Sequence, residues 1–217
     1  MQEVIISEMQ SLYGLKPVSG NPHAKIDKSG MHFTITTYEV KNFGHLSVID
    51  MKAMLGLMKM ESVILTAETR DLPLFSGDFI RLPGKQTLLV EFYDNMLEPL
   101  NDQAAEAYRK VKNRWKGLPP YQTGPHWYDG IRYDFTLGAS GGGLKEKERE
   151  ITKNYLDAYL ENLASAKACD PGEKRVKTAG YVDGLFKNGG PAVDQFRKLI
   201  GDDAARDVFE KYVFCCR

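Results

Sequence analysis

The sequence predicts an α/β protein in which helices cover both faces of a central antiparallel sheet, a three-layer α/β/α sandwich. Strand-like segments follow one another from residue 24 to residue 93 with short connections, which favours antiparallel pairing over a βαβ arrangement. After residue 101 the pattern changes to helices, and these must cover the sheet because each element has an apolar face to bury. The length of 217 residues predicts one domain, residues 1–217.

Apolar periodicity and turn residues define the elements of the first half. Helical spacing of apolar residues predicts a first helix between Glu3 and Leu12. The hairpin turn Lys28-Ser29-Gly30 precedes the first clear strand, and Asn42-Phe43-Gly44 ends it. The strands predicted from β-branched, aromatic and alternating residues are 31–38, 45–49, 57–65, 78–82 and 86–93.

The second half is predicted to be mainly helical, with one further strand within residues 127–137. That strand is expected to end at the glycine-rich segment 138–143, which precedes a helix. The lysine and hydroxyl residue of a phosphate-binding loop do not follow these glycines, so we interpret the segment as a flexible connection. The predicted helices are 102–116, 145–167, 173–186, 192–200 and 202–213.

Composition excludes several functional classes. Lys and Arg total 29, as do Asp and Glu, so the chain lacks the overall basic charge that nucleic-acid binding requires. No apolar run reaches the roughly 18 residues of a membrane span, and no basic region precedes the apolar N-terminal residues. The three cysteines have neither a disulfide framework nor a metal-ligand spacing. We therefore expect a cytoplasmic protein without nucleic-acid, membrane or metal partners.

Two carboxyl side chains stand in apolar strand segments. Asp78 precedes Phe79 and Ile80, and a carboxyl that loses water there has a raised pKa and can hold a proton near neutral pH. The alternative is that Asp78 caps the turn before it. Glu61 either pairs with Lys59 on a solvated face or points into a cavity.

The helix that ends before Pro119 is rich in basic residues. Such a run is usually a solvated surface, but it can also steer an acidic partner, because complementary charge raises encounter rates. His126, beside Trp127, is a candidate pocket residue. The basic residues of the helix are Arg109, Lys110, Lys112, Arg114 and Lys116.

Several short motifs, in order along the chain, resemble those of the ferredoxin-dependent bilin reductases. His45-Leu46 is similar to a His-Leu pair at the start of one of the family's strands, and the segment 72–80 is similar to its Leu-Pro-Leu-Phe-Gly-x-Asp segment. Pro83-Gly84 and Leu118-Pro119-Pro120-Tyr121 resemble two of its turns. Residues 196–214 resemble its last two helices.

The resemblance implies a function and a set of site residues. It implies that an open-chain tetrapyrrole such as biliverdin lies between the sheet and the C-terminal helices, and that reduced ferredoxin, or a similar acidic carrier, supplies single electrons to radical intermediates. No tightly bound cofactor is implied in the reductase. Asp78 matches the family's proton-donating aspartate, and Glu61 matches the position of a histidine in the phycocyanobilin-forming enzyme. The residues expected around the pigment are His45, Phe75, Thr87 and Asn188.

Departures from the family pattern leave other functions open. Ser47 stands near the position of a further acidic residue, and Leu137 stands where the family has a propionate-binding arginine. A non-catalytic tetrapyrrole-binding or carrier protein of the same fold is therefore the alternative. A distant relative of similar fold, red chlorophyll catabolite reductase, indicates that other linear tetrapyrroles are possible ligands. An unrelated α/β enzyme would instead have a parallel sheet.

Overall fold

The computed structural model describes residues 1–121 and 124–217 and contains an eight-stranded sheet with helices on both faces. The predicted α/β/α sandwich with a central antiparallel sheet is confirmed. The strands are β1 (Leu15–Pro17), β2 (Lys25–Lys28), β3 (Met31–Val40), β4 (Gly44–Ala53), β5 (Met58–Ala67), β6 (Leu74–Leu82), β7 (Lys85–Tyr93) and β8 (Leu137–Gly141). The helices are α1 (Gln2–Tyr13), α2 (Asp102–Arg114), α3 (Lys145–Ser165), α4 (Pro171–Asn188), α5 (Pro191–Ile200) and α6 (Asp202–Val208).

Every strand pair in the sheet is antiparallel, so the parallel arrangement of an unrelated α/β enzyme is excluded for the described residues. The strands lie in the order β1-β3-β4-β5-β6-β7-β8, and β2 also pairs with β3. From β3 to β7 the spatial order follows the chain order, because hairpin-length connections make neighbours in sequence neighbours in the sheet.

Alternate residues of the central strands pack in two separate cores. Val63 and Leu65 of β5 pack in the core beneath α1, α2 and α3, whereas Ile64 packs in the core beneath α4, α5 and α6. The division follows from the two-residue period of a strand, which sends successive side chains to opposite faces. The first core contains a cluster of aromatic rings around Phe92, including Phe75, Tyr108 and Tyr159.

Glycine is required where β4 begins. Gly44 has φ +150°, and a Cβ there would lie 2.1 Å from the Thr66 carbonyl oxygen of β5. The break predicted at Asn42-Phe43-Gly44 is therefore the turn that brings β4 against its neighbours.

The glycine-rich segment and the residues before it differ from the sequence prediction. Residues Trp127–Ile131 form a short 3₁₀ turn, and β8, apart from Leu137, lies within the segment expected to be a flexible connection. Pairing with β7 and burial of Ala139 stabilise this strand despite its low β propensity. Within the described part of the chain, no helix is both long and apolar enough to cross a membrane.

A buried ion pair fastens α4 to the end of the sheet. Lys174 is 0% exposed, and its ammonium group lies 2.9 Å from the Asp71 carboxylate. It also donates to the carbonyl oxygens of Leu72 and Asn95, at 2.7 and 2.9 Å. Asp170 caps the start of the helix by accepting a hydrogen bond from the Glu173 backbone. These contacts fix the position of α4 over the sheet.

Candidate functional site

A cavity of about 970 Å³ lies between the sheet and the C-terminal helices. This volume is at the upper end of the range for small-molecule sites, roughly 300–1,000 Å³. Its floor is formed by alternate residues of β3 to β7, its roof by α4, α5 and residues 209–214, and one side by the segment 124–136. This cavity therefore lies on the α4–α6 face of the sheet.

Asp78 points into this cavity from β6. Ser62, its direct partner across β5 and β6, donates a hydrogen bond from its hydroxyl group to the carboxyl group. Burial raises the pKa of Asp78 to about 6, the negative charge of Glu91 adds to the rise, and the Ser62 hydrogen bond acts against it. The carboxyl group can therefore carry a proton close to neutral pH and can release it without a large energy cost.

A second carboxyl side chain, Glu91 of β7, lines the same cavity and is buried. The Tyr93 hydroxyl donates to one carboxylate oxygen at 2.8 Å, and Arg132 donates to the other at 3.0 Å. Arg132 also lies 2.8 Å from a carboxylate oxygen of Asp129. Glu91 is thus a charged group with a fixed geometry.

Aromatic rings form the wall next to these carboxyl groups. The Tyr93 ring lies 5.1 Å from Tyr181 of α4 and 5.6 Å from Tyr128. His126 stacks on Tyr128 at 4.8 Å. Burial raises the pKa of Tyr128 to about 12, and it also raises the pKa values of Tyr93 and Tyr181, so all three hydroxyl groups stay neutral near pH 7. Flat apolar faces with neutral hydroxyl groups suit an extended conjugated ligand.

Trp127 supports this wall from behind. Its indole N–H donates to the Gly189 carbonyl oxygen at 3.0 Å, and its ring lies 5.6 Å from Tyr128. Gly184 of α4 makes room for the indole, since a Cβ there would lie 2.3 Å from the ring. The absence of a side chain at Gly184 therefore determines how closely α4 approaches the 127–131 turn.

The opposite end of the cavity is lined by methionines and aliphatic residues from the ends of β3, β4, β5 and β6. Methionine side chains are unbranched and polarisable, so they pack well against irregular or conjugated surfaces. The methionines of this end are Met31, Met51, Met58 and Met60.

Two cationic side chains, Lys112 and Arg132, line the cavity among the described residues. Lys112 of α2 donates to the backbone oxygen of Asp134. Arg132 is held by two carboxylates, as described above. Both cations are therefore available to an acidic ligand group only in competition with contacts inside the protein.

The structure brings Asp78 to the cavity but does not bring Glu61 there. Glu61 precedes Ser62 on β5, so its side chain points to the opposite face of the sheet. There it pairs with Arg81 and lies 3.7 Å from the amino group of Met1. The side chain that stands beside Asp78 in the cavity is Ser62.

The four residues expected around the pigment lie outside the cavity lining. His45 lies on the same face of the sheet as the cavity, but its Nδ1 atom lies 2.6 Å from a carboxylate oxygen of Glu68. The other oxygen of Glu68 accepts a hydrogen bond from Arg175 of α4. Phe75 is buried on the other face, in the aromatic cluster around Phe92. The hydroxyl group of Thr87 lies 3.2 Å from that of Ser140, and the exposed Asn188 donates to the Gly184 carbonyl oxygen.

Sequence reasoning missed Glu91 and Arg132. Glu91 had a usable signal, because it is a single carboxyl residue between Val90 and Phe92 in a predicted apolar strand, and the same pattern made Asp78 a candidate. Arg132 had no such signal, since its position depends on how residues 127–136 cross the end of β7. His126, noted as a candidate pocket residue, does line the cavity.

Comparison with known proteins identifies a shared fold. No protein-family profile matches the chain, and no curated protein matches its sequence. Among solved structures, the chain is similar to phytochromobilin synthase from tomato, crystallised in complex with biliverdin, with a TM-score of 0.75 and 14% sequence identity. The match covers 99% of this chain and 83% of the other. The two chains share a fold.

Proposed function

We propose that the protein binds a linear tetrapyrrole of the biliverdin class in the cavity and reduces it, with electrons from ferredoxin or a similar acidic carrier. The observation that carries the proposal is Asp78, a carboxyl group with a raised pKa inside a cavity large enough for such a pigment. The fold is shared with a bilin reductase that was crystallised with biliverdin, and this supports the choice of ligand.

The proposed reduction requires two things of the protein, which are binding of the pigment and delivery of protons to it. Reduction of one double bond takes two electrons and two protons, and the conjugated pigment can hold a single added electron between the two transfers. Asp78 gives a proton to the singly reduced pigment, and its carboxylate then stabilises the protonated species beside it. Ser62 orients the carboxyl group through its hydrogen bond. Solvent then returns a proton to Asp78, which supplies the second proton after the second electron has arrived and is reprotonated by solvent again.

The basic helix α2 supports an acidic electron carrier as partner. Lys110 and Arg114 are exposed there, Lys116 is exposed just after the helix, and Lys112 of the same helix lines the cavity. A carrier attracted to this surface would arrive close to the bound pigment, and a short separation favours electron transfer. Surface charges of this kind chiefly raise the rate of encounter.

The proposal is tested by exchanging Asp78 for Asn. The Asp78→Asn variant should bind biliverdin with an affinity within a few-fold of the wild type, since shape and hydrogen-bond acceptor are kept. Its rate of pigment reduction with reduced ferredoxin should fall by at least about 100-fold, the usual contribution of a positioned acid. Binding is measured by absorption titration and turnover by the loss of the biliverdin band.

A matched control is Glu61→Gln, which removes a carboxyl group from the other face of the same strand pair. It should turn over at close to the wild-type rate. Equal turnover by wild type and Asp78→Asn would remove Asp78 from the mechanism. A slow Glu61→Gln variant with intact pigment binding would instead favour a role for Glu61 in the chemistry.

A non-catalytic tetrapyrrole carrier is the second candidate, and one observation favours it. At the position facing Asp78 the cavity has Ser62, whose hydroxyl group is a far weaker acid than the histidine of the phycocyanobilin-forming enzyme. A biliverdin spectrum that shifts on mixing with the protein, and then stays unchanged after reduced ferredoxin is added, would identify a carrier. Bleaching or a new product band after the reductant would identify a reductase.

A further inference from the structure

Glu91 is a buried carboxyl group that the mechanism above leaves without a role. It is set in the cavity wall with a donor on each oxygen, the Tyr93 hydroxyl and the Arg132 guanidinium group. A buried carboxylate without such partners would be costly, and these contacts hold it as an anion with one orientation. Its side chain is therefore a fixed negative charge at the edge of the ligand space.

The sheet sets the distance between this charge and Asp78. Asp78 is the direct partner of Leu89 across β6 and β7, so Glu91, two residues further, is the diagonal neighbour on the same face. Diagonal neighbours in an antiparallel pair lie about 7–8 Å apart. Two carboxyl groups this close disfavour the state in which both are ionised.

The remaining titratable groups in this part of the cavity do not replace that effect. Tyr93 and Tyr181 are neutral near pH 7, as is Tyr128. His126 is stacked on Tyr128, further along the same segment. Of the two cations in the lining, Arg132 shares its charge between Glu91 and Asp129, and Lys112 donates to the Asp134 backbone oxygen. The charge that most directly opposes ionisation of Asp78 is therefore that of Glu91, which acts in the same direction as burial.

We propose that Glu91 is a positioning residue, a fixed anion clamped by Tyr93 and Arg132 that keeps the proton on Asp78 until the reduced ligand takes it. This role rests on the proposed function, in which Asp78 is the proton donor. It gives the two carboxyl groups different tasks, since one stays charged while the other loads and unloads a proton. Loss of the Glu91 charge leaves Asp78 ionised, and thus unable to donate, over more of the neutral range.

Infrared spectroscopy of the ligand-free protein measures the protonation of Asp78 directly. The carboxylic acid C=O band that is absent from Asp78→Asn reports its proton, and the midpoint of that band is followed against pH. In Glu91→Gln the midpoint should fall by about one pH unit, a tenfold loss of protonated Asp78 at neutral pH. Glu61→Gln, which removes a carboxyl group from the other face of the sheet, should leave the midpoint unchanged.

A second variant gives the opposite sign. Arg132→Gln removes the cation that partly neutralises Glu91, so the Asp78 midpoint should rise. A structural defect common to both variants would move the midpoint in one direction, and it could not produce the opposite shifts. An unchanged midpoint in Glu91→Gln, or shifts of the same sign in both variants, overturns the proposal.

The same variants separate this inference from the proposed function. If the wild type reduces biliverdin, the high-pH limb of its rate profile should move about one unit lower in Glu91→Gln, with little change in the maximum rate. If the wild type reduces no pigment, the proposed function fails. The infrared midpoints still decide whether Glu91 controls the proton on Asp78.

Discussion

Exchanging Asp78 for Asn should make the folded protein more stable at neutral pH. Burial raises the pKa of Asp78 from 3.8 to about 6 in the folded protein, and the unfolded chain has the lower value. Between these two pH values the folded state binds more protons than the unfolded state. The free energy of unfolding therefore falls as the pH rises through this window, and above it the native protein must keep a buried anion.

The size of the effect follows from the shift. A change from 3.8 to about 6 corresponds to about 3 kcal/mol, at about 1.36 kcal/mol per pKa unit. The carboxyl group retains some accessible surface in the cavity, and this weakens the penalty, so we expect about 1–3 kcal/mol at pH 7.5. Asn removes the charge but keeps an oxygen that can accept the Ser62 hydrogen bond.

Urea denaturation of wild type and Asp78→Asn across a pH series is the assay. The variant should be more stable by about 1–3 kcal/mol at pH 7.5. The difference should disappear below about pH 4, where Asp78 becomes protonated in the unfolded as well as in the folded wild type. Asp27→Asn, at an exposed carboxyl group on β2, is the control and should follow the wild type. Equal stabilities at pH 7.5, or a difference that grows towards low pH, would refute the reasoning.

Two further substitutions test the elements that build the cavity. Lys174→Met leaves the Asp71 carboxylate buried without its cation and should lower the free energy of unfolding by about 3–5 kcal/mol, measured by urea denaturation. A loss under about 1 kcal/mol would mean that the backbone N–H groups of Leu97 and Glu98 are enough to stabilise the buried Asp71 carboxylate. Gly184→Ala adds a methyl group where the Trp127 ring lies and should displace the indole. Its tryptophan fluorescence should then shift and pigment binding should weaken at least about tenfold, whereas an unchanged spectrum would contradict the packing of Trp127 on α4.

Most of the fold could be predicted from the sequence because local patterns determine it. The alternating apolar and polar residues of β3 predict a strand, and the short connections between strands predict antiparallel pairing. The prolines at 119 and 120 mark the end of the helical sequence pattern that contains α2. Strand β8 could not be predicted in this way. Its glycines have no β preference, and it forms because β7 offers an unpaired edge and Ala139 fits beneath the helices.

The site was harder to predict than the fold because sheet register decides which side chains meet. The apolar neighbours of Asp78 left a turn cap as the alternative, and the resemblance to the bilin reductases favoured a proton donor; the structure has Asp78 in the cavity. Glu61 was chosen by counting along the chain without a gap, and a difference of one residue moves a side chain to the other face, so Ser62 is the neighbour instead. Glu91 and Arg132 meet only because residues 127–136 fold back over β7.

The methionines at one end of the cavity have a consequence for the range of ligands that the protein can accept. A wall of branched or aromatic residues has a fixed shape, whereas Met31, Met51, Met58 and Met60 can change rotamers at little cost. Under the proposed function, the carboxyl end of the site would fix where a proton is delivered, and the methionine end would adapt to the substituents of the pigment. Pigments that share a conjugated core but differ in side groups would therefore meet the same proton donor.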